Sequence, residues 1–400
     1  MNQITGLIDR GHAVDIYAYG RESELETHAD VAKYQLLDRT HYYGYSIPDN
    51  KVLRLQRAVP LIRSAFHKKP EALLRSLNVF KFGREAASLR MLYKIAPFLG
   101  KGPYDIMHCH FGPNGDLGVV LKMLGLAGGK VVTTFHGYDI RLGLEKGGGI
   151  YQRLFKTGDL FLAISQYNRR KLVNLGLDER KIIDHPVGID LKKFPDKWMA
   201  DATGGRRLIR LITVARLVKE KGLDCAIRAI HKVLLNKPGL ELEYTIVGGG
   251  PLREELEELV GTLNLRKYVR FVGAKSQEEV VGALAASDIF MLPSVAEALP
   301  VVAMEAQAIG LPVIATSVGS VDQIVLNGKT GFCVPPADAD AIAAALCLLI
   351  EHTEVWPVMG RSGREHVAGN FSIDTLNDRL VELFAGIRNR EITDSGMAVQ

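Results

Sequence analysis

A chain of 400 residues exceeds what one ordinary hydrophobic core organises, so two domains are expected. An apolar fraction of 47% with 24% charged residues is that of a globular protein and excludes a disordered or low-complexity one. The net charge of +5 is mild, and no stretch reaches the roughly 18–20 unbroken apolar residues of a membrane span.

The first ten residues lack a basic start followed by an apolar run, so no signal peptide is expected. Four cysteines (Cys109, Cys225, Cys333 and Cys347) form no C-x-x-C pair. They read as reduced thiols of a cytoplasmic protein rather than as disulfides or metal ligands.

Ile4–Arg10 reads as a helix stopped by Gly11, and Ala13–Tyr19 as a strand. Leu36–His41 reads as a second short strand. From Lys51 to Lys101 the chain is helical and carries twelve basic residues against two acids, Glu71 and Glu85. Apolar residues are interleaved there at helical spacing. Such a face suits anionic lipid headgroups or an anionic acceptor, which makes peripheral membrane contact one expectation. A plain solvated helical surface explains the same charges equally well. Aromatic residues do not line the stretch in a stacking pattern, so nucleic acid is not expected as a partner.

Tyr104–His110 is a buried strand, followed by a loop at Phe111–Gly115 and a helix at Leu117–Leu126. Val131–Phe135 is a strand whose loop is His136–Asp139. Leu160–Ile164 is another, with Ser165 placed to cap a helix at Gln166–Leu175. Strand, loop and helix alternate, which indicates a parallel sheet with helices on both faces. Ligands of such sheets bind at the carboxyl ends of the strands, where His136 stands. A lone histidine there is also often structural. His108 and His110 read as strand-end packing, and no cluster completes a zinc set.

Pro186–Arg207 loses periodicity and carries Gly188, Pro195, Gly204 and Gly205. The division expected from this is a first domain at 1–190, a linker at 191–207 and a second domain at 208–370. Residues 371–387 read as a helix packing back on the first domain, and 388–400 as a tail.

The second domain repeats the alternation with strands at Leu208–Ala215, Glu241–Val247, Val269–Val272, Asp288–Leu292, Pro312–Ala315 and Phe332–Val334. Arg216 and Lys221 follow the first of these, and two cations at a strand end suit a diphosphate. Gly248, Gly249 and Gly250 follow the second and allow close approach of backbone to a ligand, although the turn alone also requires glycine. Val272, Ala274 and Lys275 end the third and offer backbone groups to a base. The fourth leads into PSVAEALPVVAMEAQAIGLP. Glu297 lies in the turn, Pro300 suits a first helical position, and Val301–Ile309 is the helix. Neither Ala298 nor Leu299 is a capping residue, so the amides of Val301 and Val302 are open to an outside anion. Glu305 lies two turns deeper, about 80° around the axis from Glu297. The two carboxylates could thus meet the two ends of a long ligand with a phosphate between. A solvated helix with a glutamate in its first turn is the plain alternative. The Asp-x-Asp at 338–340 reads as a helix cap rather than as a metal site.

Taken together these motifs resemble retaining glycosyltransferases of family 4, which have the GT-B fold of two Rossmann-like α/β domains facing a cleft. The likeness spans nearly the whole chain and is strongest in EALPVVAMEAQAIGLPVIAT. VARLVKEKG, IVGGGP, RFVGAKS, LIDRGHAVDIYA, HCHFGPNG and TFHGYD support it. The more particular likeness is to bacterial exopolysaccharide and colanic-acid-type transferases. The resemblance implies transfer from a nucleotide sugar, with UDP the expected carrier, to a lipid-linked or polysaccharide acceptor at the inner face of the plasma membrane. It implies no cofactor and no metal. Arg216 and Lys221 would bind the donor diphosphate, Glu297 the sugar hydroxyls and Glu305 the ribose. The amides of Val301 and Val302 would meet the phosphates, and His136 would contact the sugar near the reacting carbon.

Three features depart from the family pattern. Relatives begin with a strand ahead of the LIDRGH helix, whereas this sequence opens within that helix, which would leave one sheet position and one acceptor-side loop unfilled. Pro300 stands where many relatives have glycine. GSVD at 319–322 replaces a glycine-rich, glutamate-containing loop. Two competing readings follow: a nucleotide-sugar-binding protein impaired in transfer, and a nucleotide-sugar epimerase of similar shape.

Overall fold

The computed structural model describes residues 2–20, 29–44, 47–197 and 208–389. The chain divides into two compact α/β units, the first comprising Met1–Ala163, Asn168–Asp184 and Asn377–Gln400, the second Ile164–Tyr167 and His185–Leu376.

In the first unit β1 (Ile16–Ala18) pairs in parallel with β2 (Thr40–Tyr42) as a separate two-stranded sheet. The Leu36–His41 segment is therefore mostly a turn, and strand starts only at Thr40. Four further strands form a parallel sheet in the order β3 (Ile106–His110), β4 (Lys130–Phe135), β5 (Leu160–Ala163) and β6 (Ile182–Asp184). β4 and β5 are buried along almost their whole length, which is why they read as continuous apolar runs rather than alternating ones. β6 is too short to register as a strand by pattern.

The helix after β3 runs Gly112–Leu124, beginning five residues before the position expected for it. FGPNG had read as a loop because it holds two glycines and a proline. Pro113 instead occupies the first turn, and the glycines permit close packing on the sheet. A Cβ on Gly115 would fall 2.4 Å from Thr133 Oγ1, and one on Gly118 2.9 Å from Cys109 Sγ.

Between residues 51 and 95 lie four helices, Lys51–Lys68, Pro70–Ser76, Val79–Ala87 and Arg90–Ile95. Their inner faces supply Ala58, Ala65, Leu73, Leu92 and Ile95 to a core shared with Val120 and Leu124.

The second unit is one six-stranded parallel sheet, made of β7 (Ile209–Val214), β8 (Leu242–Val247), β9 (Val269–Gly273), β10 (Ile289–Leu292), β11 (Val313–Thr316) and β12 (Gly331–Val334). The spatial order is β12-β11-β10-β7-β8-β9. One face is covered by helices Leu223–Asn236 and Ala339–Glu351, the other by Val301–Ile309 and Trp356–Phe371.

Part of the expected linker belongs to this unit. Phe194 is buried in the same cluster as Phe290, and Lys197 lies 3.1 Å from the buried Asp288. Residues 198–207 lie outside the described residues, as does 390–400 of the expected tail. The last helix, Ile373–Asn389, places Leu380, Phe384 and Ile387 against Leu7, Val132 and Leu162 of the first unit's core. Among the described residues no single helix is long and apolar enough to cross a membrane.

Candidate active site

The strand order of the second unit turns back at its centre. From β7 the chain proceeds outward through β8 and β9 on one side, then through β10, β11 and β12 on the other. Loops leaving the carboxyl ends of two such strands part from each other and open a crevice for ligands. Arg216 and Lys221 leave β7, and Glu297 leaves β10.

Backbone fixes these loops to one another. Leu217 N–H donates to Gly249 O at 2.9 Å, and Val295 N–H donates to Glu220 O at 2.9 Å. Gly248 and Gly250 have φ of 139° and 157°, and a Cβ on either would fall within 2.5 Å of a backbone carbonyl, that of Ala215 or Leu217. These two glycines therefore serve loop-to-loop packing, and Gly249 is the one of the three that faces open space. Gly319 sits where a Cβ would fall 1.7 Å from Glu297 O, so the loop after β11 also presses on Glu297.

The side chains then meet. Lys221 Nζ donates to Glu297 Oε1 at 2.6 Å, and Ser294 Oγ donates to the same oxygen at 2.7 Å. The pair is mostly withdrawn from water, with the Glu297 side chain 9% exposed and that of Lys221 20%. Arg216 is exposed on the same loop.

Helix Val301–Ile309 starts directly behind Glu297. Pro300 is its N-cap, in an extended conformation, one residue outside the helical position expected for it. No side chain caps the helix, so the amides of Val301 and Val302 stay unclaimed by side chains. Leu299 is buried beside them. Glu305 faces no charged partner among the described residues, and burial pushes its carboxyl up to about 7.

At the end of β9, Val272 and Ala274 are exposed. Lys275 Nζ lies 2.7 Å from Glu279 Oε1, in the first turn of a helix capped reciprocally by Ser276 and Glu279. Its charge is thus engaged on its own helix. Asp338 of the Asp-x-Asp caps its helix through Ala341 N–H at 2.9 Å, and Asp340 pairs with Lys232. Among the described residues no group of three or more His, Cys, Asp or Glu is arranged to hold a metal ion.

His136 belongs to the first unit, and its surroundings are organised by Asp139, a residue that sequence reasoning passed over. Asp139 is completely buried. Its Oδ1 accepts from the amides of His136, Gly137 and Ile140 at 3.0, 2.9 and 3.1 Å. Its Oδ2 accepts from Gly112 N–H at 2.9 Å, which joins the turn after β3 to the loop after β4. His136 Nε2 lies 2.9 Å from His110 Nδ1, and the two rings stack at 5.1 Å. Burial and the neighbouring His136 push His110 down to about 4, and burial also lowers His136. Both rings are therefore neutral near pH 7, and one of them carries the proton in the bond between them. The signal was present in HGYD: an aspartate four residues after a strand end is placed to bond its own loop's amides. Replacing it as Asp139→Asn turns one acceptor into an N–H facing backbone N–H. We expect a loss of about 3 kcal/mol, read as a lower urea midpoint with unchanged m. An unchanged midpoint would remove Asp139 from its central role.

Comparison with known proteins places the chain in a family. Residues 65–193 match glycosyltransferase family 4, and residues 205–366 match the glycosyl transferases group 1. WcaL of Escherichia coli K12, named for colanic acid biosynthesis, is 34% identical over 97% of this chain and 96% of its own length. The amylovoran biosynthesis glycosyltransferase AmsK of Erwinia amylovora is 35% identical over 96% of this chain and 94% of its own. An Escherichia coli UDP-Gal:α-D-GlcNAc-diphosphoundecaprenol α-1,3-galactosyltransferase is 29% identical over 78% of this chain and 81% of its own. Among solved structures, a glycosyltransferase from Rickettsia africae superposes with a TM-score of 0.69 at 19% identity, covering 98% of this chain and 95% of that one. Anabaena Alr3699/HepE in complex with UDP gives 0.61 at 18% identity, covering 71% and 79%. The chain is thus a GT-B-fold member of the glycosyltransferases, with a family 4 domain followed by a group 1 domain.

Proposed function

We propose that the protein transfers a hexose, with retention of anomeric configuration, from a UDP-sugar to a lipid-linked or polysaccharide acceptor at a membrane face. The observation that carries this reading is the Lys221–Glu297 pair set across the point where the strand order reverses, beside an uncapped helix. Arg216 and the amides of Val301 and Val302 would hold the diphosphate, and Glu305 would accept from the ribose hydroxyls. Lys221 would meet the leaving phosphate from one side while fixing Glu297, whose free oxygen would orient the sugar. Gly249, Val272, Ala274 and Lys275 would line the base and phosphate path with backbone.

Transfer requires the bond from the anomeric carbon to the phosphate oxygen to break. The acceptor oxygen then bonds to the same carbon from the same face, and its proton passes to the departing phosphate. The chain's task is to position both partners and to stabilise the anionic leaving group, which Arg216, Lys221 and the helix end do by charge. His136, neutral and held by His110 and Asp139, would donate or accept a hydrogen bond at the sugar.

A relative named for a UDP-galactose donor and a structural neighbour solved with UDP both support the choice of UDP. Calorimetric titration with UDP, GDP and ADP tests it. UDP is expected to bind with a Kd of about 10 μM, weakened at least about 100-fold in an Arg216→Ala, Glu305→Ala double variant. Preference for GDP would replace the carrier and keep the site. No binding of any nucleotide by a folded chain would overturn the donor-site assignment.

A further inference from the structure

The helix Lys51–Lys68 buries one face through Arg54, Ala58 and Ala65. A second apolar stripe on the same helix is exposed and has no partner among the described residues. Val52, Leu55, Val59 and Phe66 are 65%, 58%, 52% and 63% exposed. At 3.6 residues per turn they fall within an arc of about 60°, centred about 120° away from the buried face. The helix contains no Asp or Glu, and the exposed Lys51 and Arg63 flank the stripe on its two sides. Fourteen residues after Phe66, Phe80 stands wholly in solvent at 103% exposure, followed by the exposed Lys81 and Arg84.

Four large apolar side chains aligned on one exposed face are not a solvated surface. A narrow apolar stripe edged by cations, with no acid on the helix, is the pattern of a helix lying in a lipid headgroup layer. Charge alone left residues 51–101 ambiguous between lipid and water, and the stripe resolves it. A second copy of this chain is a poor occupant, because a twofold contact through this face would oppose two like-charged surfaces.

We propose that the Val52–Leu55–Val59–Phe66 stripe and Phe80 dock the first unit on an anionic bilayer, with apolar side chains inserted and lysines and arginines at the headgroups. This deepens the reading of a lipid-linked acceptor and rests on it for its purpose. A protein held at the surface meets a lipid-borne acceptor at far higher effective concentration than one in bulk water.

The test is co-sedimentation of the full chain with vesicles of phosphatidylcholine, with and without phosphatidylglycerol. The wild type is expected to bind the anionic vesicles. A Val59→Ser, Phe66→Ser variant and a Phe80→Ser variant are each expected to bind at least about tenfold more weakly, since each gives up buried apolar surface. UDP calorimetry on the same variants should be unchanged, because the donor residues lie in the other unit. Loss of UDP binding in the wild type with vesicle binding intact would sink the donor reading and leave this one standing. The proposal is overturned if the wild type ignores anionic vesicles, or if the serine variants sediment as it does. It is equally overturned if sedimentation velocity shows a dimer that Phe66→Ser dissolves.

Discussion

Lys221→Met is expected to lower the rate of sugar transfer by about a thousandfold, the upper end of what one preorganised charge contributes to a developing anion. Two effects add in this variant. The leaving phosphate loses a cation, and Glu297, nearly buried, keeps Ser294 as its one side-chain partner among the described residues. Breaking one side of a buried pair costs about 3 kcal/mol, so the variant should also melt early. A Lys221→Met, Glu297→Gln double variant separates the two. It removes the stranded charge and should recover most of the stability, because the neutral amide can still accept from Ser294. Transfer should stay at the low level. If the double variant regains transfer along with its melting temperature, the pair is a structural clamp and Lys221 does not act on the leaving group.

Glu305 gives the second large effect, in the pH dependence. Its carboxyl is raised from 4.5 to about 7 by burial, so the fold favours the protonated form. Stability from this source is complete below pH 4.5 and is lost as pH rises through about 7, where the buried group must ionise. The full span is worth about 3 kcal/mol. Relative to Glu305→Gln, the wild type should therefore lose melting temperature between these limits and run parallel above them. Nucleotide binding should show the opposite slope. A ribose donating two hydroxyls to Glu305 prefers the carboxylate, so affinity should rise about tenfold per pH unit up to about 7 and then level. The Gln variant should bind weakly and without that slope. A wild-type affinity flat from pH 5 to 8 would remove the ribose contact (the pH limits are about those of the titration just described).

The sequence announced much of this because the second unit obeys simple rules. Each of its strands is an apolar run bounded by a turn, and each ligand candidate follows a strand. The helix at Val301 has a visible start and no capping residue, and the structure places its bounds where the pattern did. Asp338 read as a cap and is one. The failures share a cause, which is that a residue type with a strong local meaning was used for a distant one. The glycines of FGPNG meant a loop locally but serve close helix packing against Phe135, Tyr151 and Thr133. Asp139 reads only as the end of the loop after β4, yet one of its oxygens reaches a turn 27 positions earlier. Phe194 sits in an aperiodic stretch and looked like linker, although burial beside Phe290 decides its place. The meeting of Lys221 with Glu297, 76 residues apart, is likewise a product of strand order, which periodicity does not reveal.

That strand order has a consequence for how such a protein changes over generations. β7 and β10 are the two innermost strands, each hydrogen-bonded on both sides, whereas β9 is an edge. Innermost strands open least often, and groups carried on them keep their positions most tightly. The residues assigned to bond breaking thus ride on the most rigid backbone of the unit, and those assigned to the nucleotide base ride on the margin. Substitutions after β9 can retune which carrier is accepted while leaving the charge arrangement at the centre undisturbed. On this assignment, donor choice and the chemistry of transfer are separable by distance from the middle of the sheet.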